Sequence, residues 1–580
     1  MRNHKFYDNY FADLFVLSIQ NNKSSYHCRG GLFQAAWKYE KGVDTMKKQW
    51  KIIAALGLSL SLLMSSTALA AHPKGYWPYL SAFNNAKTAN NQAQMITTGN
   101  KLLQYYQNLP LDSDVASIRY NVNYANYPIY EKQGNYVKAK EALQQVATNG
   151  NYLGFKDAVT MANKRMRKIS PNAQVYALTN TSAPYYGAKH EPKNGALYGR
   201  VWTEQNDSAA QNEAIVSFYI ETGQNAADYE RFIAPYEGGD HVIHIAWNFP
   251  SEGSTVSAIN SGSYDSNIQQ TLQYLATIDA PVLLRIGGEM NIWTNATTGD
   301  AFKAAYTRIA KQARSICPNV ALVFSTNYTS PFGGSMEPYF PDASLVDWVG
   351  TSLYNNKYQF ASSPTKGVDN NEMYFGIGDY ADPVKNLSHT ADLAKKYNKP
   401  IIITEGGSGY LSGNADTTTF AADCIHEAYT TLNMVYPQVK AIIHFDRSGN
   451  GYDYTLQNNA TVQAAYNSAL KSNPTLMSSP SQTVTQSFKP LSQVTGANGV
   501  VTLRAYCDVI GQTVTVTYSV DGKWVGTQKT VPYSCQLDTS TLTAGNHTLK
   551  VVFNAPNSYS QTLNYQLTKA ANGSVSFKQA

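Results

Sequence analysis

Two glutamates stand where apolar runs end, Glu289 in LLRIGGEMNIW and Glu405 in PIIITEGG. A carboxylate emerging from such a run loses water, and that loss must be offset by a partner or a use. Singly, each has a plain structural explanation: Glu289 can ion-pair with Arg285, and Glu405 can cap a following helix. Together they can divide labour. A carboxyl that keeps its proton is a general acid, and an ionised one is a nucleophile toward an acetal carbon. Acetal cleavage with retention needs the two groups roughly 5–5.5 Å apart.

The pattern around them predicts elements able to bring them that close. From 172 to 471 short apolar runs alternate with amphipathic stretches. The runs are 196–202, 214–220, 241–247, 281–286, 320–325, 345–353, 400–404 and 439–445, with helical stretches such as 301–315, 383–397 and 417–436 between them. Eight strands alternating with helices over about 300 residues predict a (β/α)8 TIM barrel. An open doubly wound sheet shares the alternation, but no glycine-rich phosphate loop follows the first run. In a barrel, chemistry gathers where strands meet the loops after them. Glu289 follows the fourth strand and Glu405 ends the seventh, across the mouth from each other. The same rule nominates Tyr354 after the sixth strand, and Trp247 and Asn248 at the end of the third. Arg285, Asn291 and Trp293 surround the fourth, Asn327 ends the fifth, and His444 and Phe445 end the eighth. Rings at such places suit the apolar faces of a sugar, and amides or imidazole suit its hydroxyls. Buried Trp and Phe are as readily core.

The flanks read differently. Residues 71–171 are helical, and 124–146 resembles one tetratricopeptide helix–turn–helix around Gly134-Asn135; one unit is fewer than such arrays need, so a helical cap is expected. A Ser/Thr/Pro-rich linker spans 472–486. Alternating apolar and polar residues with an Asp521-Gly522 hairpin then predict an immunoglobulin-like β-sandwich over 487–580. Residues 46–70, starting at Met46, carry a basic segment, an apolar run too short for a membrane span, and a small-x-small site at Ala68-Leu69-Ala70. That is signal-peptide grammar. It implies a secreted chain with no membrane span once mature, and makes 1–45 a mis-assigned upstream segment; the alternative is a genuine N-terminal extension that leaves an uncleaved anchor. Export permits disulfides, so Cys507 and Cys535 are candidates to pair, while Cys317 and Cys424 are expected as small buried hydrophobes. The net charge of +6 is scattered, which argues against nucleic acid. No CxxC or His-rich spacing suggests a metal, and no cofactor is implied.

The two glutamate motifs and the sixth run, DWVGTSLY, resemble clan A glycoside hydrolases. They are closest to glycoside hydrolase family 26, the β-mannanases and related β-glucanases and β-xylanases. The resemblance covers about 172–471. It rests on Arg285-Ile-Gly-Gly-Glu289-Met-Asn291-Ile-Trp293 and on Pro400 to Glu405. It implies a retaining, endo-acting hydrolase of a β-linked polysaccharide (mannan, glucan, xylan or an exopolysaccharide), with the cell wall among its partners. Glu289 would be the acid/base, Glu405 the nucleophile, and Tyr354 the hydroxyl donor to Glu405. One position departs: the residue before the acid/base, His in that family, is Gly288, so another group must hold the sugar there. A catalytically silent carbohydrate-binding protein is the alternative, and an adhesion protein with a structural barrel would predict no convergent carboxylates. The phrases VDGKWVGT and TAGNHTLKVVF resemble bacterial immunoglobulin-like modules.

Overall fold

The computed structural model describes residues 76–107, 111–133, 135–169, 173–292, 297–328, 336–359, 368–369, 382–507, 513–555 and 559–580. The expected upstream segment, the signal peptide and Trp293 lie outside them. No helix among the described residues is long and apolar enough to cross a membrane.

Eight runs rich in Val, Ile, Leu and Phe form parallel strands, as residues buried on both faces should. They are β1 Ala196–Val201, β2 Ile215–Glu221, β3 Val242–Asn248, β4 Val282–Ile286, β5 Ala321–Asn327, β6 Trp348–Tyr354, β7 Ile401–Gly407 and β8 Val439–His444. Neighbours pair in sequence order, and β8 returns to β1 from Ala441↔Leu197 to His444↔Arg200, closing the barrel. Helices clothe it, each with one apolar stripe. Gly299–Ile316 is typical: the Thr298 hydroxyl accepts from Ala301 N at its start, and Phe302, Tyr306, Ile309, Ala310 and Ala313 are buried.

The barrel interior changes character along its axis. Leu197, Ile215, Val242, Leu283, Trp348, Ile402 and Ala441 form an apolar floor. The Trp348 indole donates to Lys189 O at 2.8 Å, closing the bottom. Above lies a polar layer with Ser217 against His244 and Ser325 against Thr404, each pair 2.8 Å apart. The seam between β8 and β1 carries a buried charge network. Arg200 donates to both Glu213 oxygens and to Asp446 Oδ2, while Tyr466 donates to Glu213 and Asn206 to Asp446.

Ahead of the barrel lie helices Tyr76–Thr88, Gln92–Tyr106, Ser113–Lys132, Tyr136–Tyr152 and Lys156–Ile169. Arg165 bridges to Glu131 within this set.

The sandwich region differs from expectation. Ala173–Thr179, inside the 172–471 span assigned to the barrel, is instead a strand between Ser487–Pro490 and Val500–Cys507, antiparallel to both. With Cys535–Asp538 these make a four-stranded sheet. It faces a five-stranded one of Lys523–Gln528, Thr515–Val520, Gly545–Ala555, Tyr559–Lys569 and Val575–Gln579. Val175, Ala177, Leu503, Val516, Tyr518, Val551 and Phe553 fill the space between. The stretch read as a linker is bound: Asn194 Nδ2 donates to Val484 O and Gln486 O. Tyr506 of the sandwich donates to Asp382, which caps helix Pro383–Tyr397 of the barrel. The expected Cys507–Cys535 bridge is absent. Cys535 opposes Leu503, four residues from Cys507, or about 13 Å along the strand, twice what a disulfide spans. Cys317 and Cys424 are buried.

The Arg200 network yields a test. Arg200→Met would leave two buried carboxylates without their cation, which is expected to cost about 3–5 kcal/mol in urea denaturation. A loss under about 1 kcal/mol would mean that this network does not hold the seam.

Candidate active site

The upper barrel carries two rows of three residues in register. Tyr219, Ala246 and Arg285 lie side by side on β2, β3 and β4. Asn327, Ser352 and Glu405 do the same on β5, β6 and β7. The second row depends on a bulge. Ile403 pairs with Thr351 but Glu405 pairs with Ser352, so Thr404 is an extra residue that re-aims Glu405.

Glu405 is buried and densely bound. Tyr219 OH donates to Oε2 in a very short bond, Arg285 Nη1 lies 3.1 Å from Oε2, and Ser352 Oγ donates to Oε1 at 3.0 Å. Every partner is a donor, an environment made for an anion.

Glu289 arrives by a strained turn. After Ile286 the chain passes through left-handed conformations at Gly287 (φ 63°) and again at Glu289 (φ 57°). For a residue with a Cβ that conformation costs roughly 1–3 kcal/mol, a strain that clusters at working sites. The turn is sewn to β5: Glu289 N donates to Ser325 O at 3.2 Å, and the Asn291 amide grips Asn327 N and O at 2.8 and 2.9 Å. Asn327 Nδ2 then reaches Glu289 Oε1 at 2.7 Å. Burial raises the Glu289 pKa, and the Glu405 charge raises it further, against the pull of Arg285 and Asn327. The Ser352 hydroxyl, which donates to Glu405, also eases the charge on Glu289. Below, burial and then the Arg285 charge pull the His244 pKa down to about 3, so this imidazole adds no charge.

Other nominated residues part company. Tyr354 does not bond Glu405; that place belongs to Tyr219. Tyr354 joins a ring cluster instead, its centroid 5.7 Å from Phe445 and 5.3 Å from Tyr454, with Phe445 also 6.4 Å from Tyr219. Phe445 is half-buried in that wall. Asn248 is half-buried at the end of β3. Trp247 is 0% exposed, packed outside the barrel among Ile220, Ile286 and their neighbours, so it contacts no sugar. His444 is buried, bonded through Nε2 to Tyr454 O and packed on Tyr466, facing the helix layer. Asn291 is a backbone clamp. Tyr219 and Ser352 were missed, although the period of two places Ser217 and Tyr219 on one face of β2, and Ser352 stands two residues before Tyr354. Among the described residues no group of three or more His, Cys, Asp or Glu could hold a metal ion.

Comparison with known proteins gives three findings. Residues 483–551 match the family model of a bacterial Ig domain. Over 185 residues, 28% of this chain, the sequence is 26% identical to a beta-1,3-xylanase of Alcaligenes sp; the match spans 38% of that relative's length. Among solved structures, the chain is similar to an endo-beta-1,4-mannanase double mutant of Cellulomonas fimi, at 14% identity and TM-score 0.35, over 64% of this chain and 94% of that one. It is also similar to the GH26 beta-mannanase BoMan26A of Bacteroides ovatus, at 16% identity and TM-score 0.36, over 50% and 92%.

The raised pKa of Glu289 has a consequence for stability. Between the unfolded and the higher folded pKa the folded chain holds more protons, so stability falls as pH rises through that window. Glu289→Gln keeps the oxygen that accepts from Asn327 and removes the titration. The variant should be more stable than the parent at pH 8, by about 1.4 kcal/mol for each unit of raised pKa, with the gap narrowing toward pH 4. Thermal unfolding at both pH values measures it; a variant no more stable at pH 8 would mean that Glu289 folds without this cost.

Proposed function

We propose that the protein is a secreted retaining glycoside hydrolase acting on a β-linked polysaccharide, mannan-type or a related glucan, xylan or exopolysaccharide. The observation that carries the reading is the contrast between two adjacent carboxyls at the barrel mouth. Glu405 is surrounded by donors, and Glu289 is pushed toward its protonated form. Pairs of titratable groups driven apart in this way divide acid from nucleophile.

In the first step a Glu405 oxygen attacks the anomeric carbon, forming a glycosyl ester as the bond to the leaving oxygen breaks. Glu289 gives that oxygen its proton. In the second step the Glu289 carboxylate takes a proton from water, the water oxygen attacks the anomeric carbon, and Glu405 leaves as a carboxylate. Arg285, Tyr219 and Ser352 hold Glu405 in place, and the wall of Tyr354, Phe445 and Tyr454 suits a sugar ring. Secretion is supported by the grammar of 46–70 alone. A silent carbohydrate-binding protein would bind polysaccharide without releasing reducing ends.

Reducing-sugar release over a polysaccharide panel tests the reading. Glu405→Ala should abolish turnover. Glu289→Ala should cut hydrolysis of unactivated substrate by about 10²–10⁴, spare the first step for aryl glycosides with good leaving groups, and respond to azide with a glycosyl azide of retained configuration. Uniform loss on all substrates without azide rescue would overturn the roles. Replacing the phenol that touches Glu405, Tyr219→Phe, should lower kcat more than Tyr354→Phe; the reverse order would put the working hydroxyl on the sixth strand.

A further inference from the structure

The outward face of the five-stranded sheet takes no part in the chemistry of the barrel. Strand register sets two rows of side chains across four of its strands. Trp524, Ser519, Lys550 and Asn564 form one row, and Thr527, Thr517, Val552 and Thr562 form the next. Trp524 is 70% exposed. A ring left in water adds little to folding, because burial is what stabilises it. Yet this ring is held in place. Its indole Nε1 donates to Thr527 Oγ1 at 3.0 Å, and Thr527 Oγ1 lies 3.3 Å from Thr517 Oγ1. With its N–H spent on the sheet, the indole has only an apolar ring to offer. Its rotamer is fixed before any ligand arrives, which spares a binding event that ordering.

The charge of the face is one-sided. Among its described outward positions none is Asp or Glu, while Lys550 and Lys578 are exposed lysines. Asp521, in the turn beside them, is taken by His547 Nδ1 at 2.7 Å. The imbalance extends to the whole sandwich: 487–580 holds seven Lys and Arg against three Asp and Glu, a net +4. The barrel span 172–471 is the reverse, with 18 against 28, a net −10. Apolar area on the face amounts to Trp524 and Val552, too little for the packed centre of a protein interface. A nucleic acid needs a basic groove along its phosphates, and two lysines do not make one. We propose that this face binds an acidic polysaccharide, with a pyranose stacked on Trp524 and uronate carboxylates paired with Lys550 and Lys578. Trp524 and Lys550 stand two strands apart, about 10 Å, so one short run of sugar units meets both. Hydroxyls and amides of the two rows bond the hydroxyls of the polymer. The negative barrel repels such a polymer, so the polymer held by the sandwich is an anchor and not the substrate. The proposal holds whether or not the barrel is a hydrolase.

The test is affinity electrophoresis of the full chain through gels holding sodium polygalacturonate or its methyl ester, the same backbone without the charge. The α-linkages of this probe lie outside the proposed reaction, so binding is read without turnover. The acid form should retard the parent chain several-fold more than the ester does, and the effect should shrink as salt rises. Trp524→Ala and Lys550→Gln should each weaken retention about 2- to 10-fold. Trp524→Phe, which keeps a ring, should lose less than Trp524→Ala. In protein labelled with 5-fluorotryptophan, the fluorine signal that vanishes in Trp524→Ala should move when the acid polymer is added. Equal retention by acid and ester, or equal retention of the parent and both variants, would overturn the proposal. So would a Trp524 signal that ignores the polymer. A signal that moves with protein concentration alone would make the face a contact between copies and would also overturn it. Polyphosphate that retards the parent and Trp524→Ala alike, and more strongly than polygalacturonate, would leave only a basic patch and end the proposal.

Discussion

Arg285 is paired with one of two carboxyl groups at the barrel mouth and is felt by the other, and the surrounding site is arranged about that cation. Arg285 is buried and sits against Glu405. In a site shielded from water, charges a few ångströms apart interact several-fold more strongly than in bulk. One guanidinium balances one carboxylate, and the neutral His244 beneath supplies nothing more. The second carboxyl is thus the one whose charge is resisted. The same arrangement could serve both halves of a two-step reaction. In the proposed reaction, esterification of Glu405 would remove its charge and leave Arg285 to balance Glu289. The site would hold one net carboxylate charge throughout, passed from one residue to the other.

Three local departures from regular structure shape this arrangement, each at or beside Glu289 or Glu405. The extra Thr404 turns Glu405 onto the Ser352 row. The left-handed Glu289 swings its carboxyl back over β5. The bare Gly288 gives the guanidinium its room.

The same contrast explains what the sequence disclosed. Apolar runs and helical periods report burial, so the eight strands and helices such as Pro383–Tyr397 were legible. The two glutamates were legible because a carboxylate at the end of an apolar run is locally anomalous. Which way a strand-end side chain points was not. Trp247 and His444 stand at strand ends as Asn327 does, but they face the helices, and one residue of shift reverses a strand's faces. Tyr219 hides inside an ordinary aromatic strand, where nothing local marks it as the partner of Glu405. The Cys507 and Cys535 pairing failed for want of register, and the Ala173–Thr179 strand for want of any local sign of a partner some 300 residues away.

That strand has a consequence for how the chain is made. Thr179 meets Ser487 across 308 positions, and the whole barrel lies between them. At synthesis rates of about 5–20 residues per second, Ala173–Thr179 waits roughly 15–60 s after leaving the ribosome before its partners exist. Until then Val175 and Ala177, both fully buried in the finished sheet, have no permanent shelter, and the strand's edges are open to other pairings. The C-terminal sheet is therefore not a cassette that evolution or an engineer could lift off by cutting at 486. It is the clasp by which the finished chain takes hold of a strand made before its barrel, and a cut there would return an exposed apolar strand to the front of the barrel.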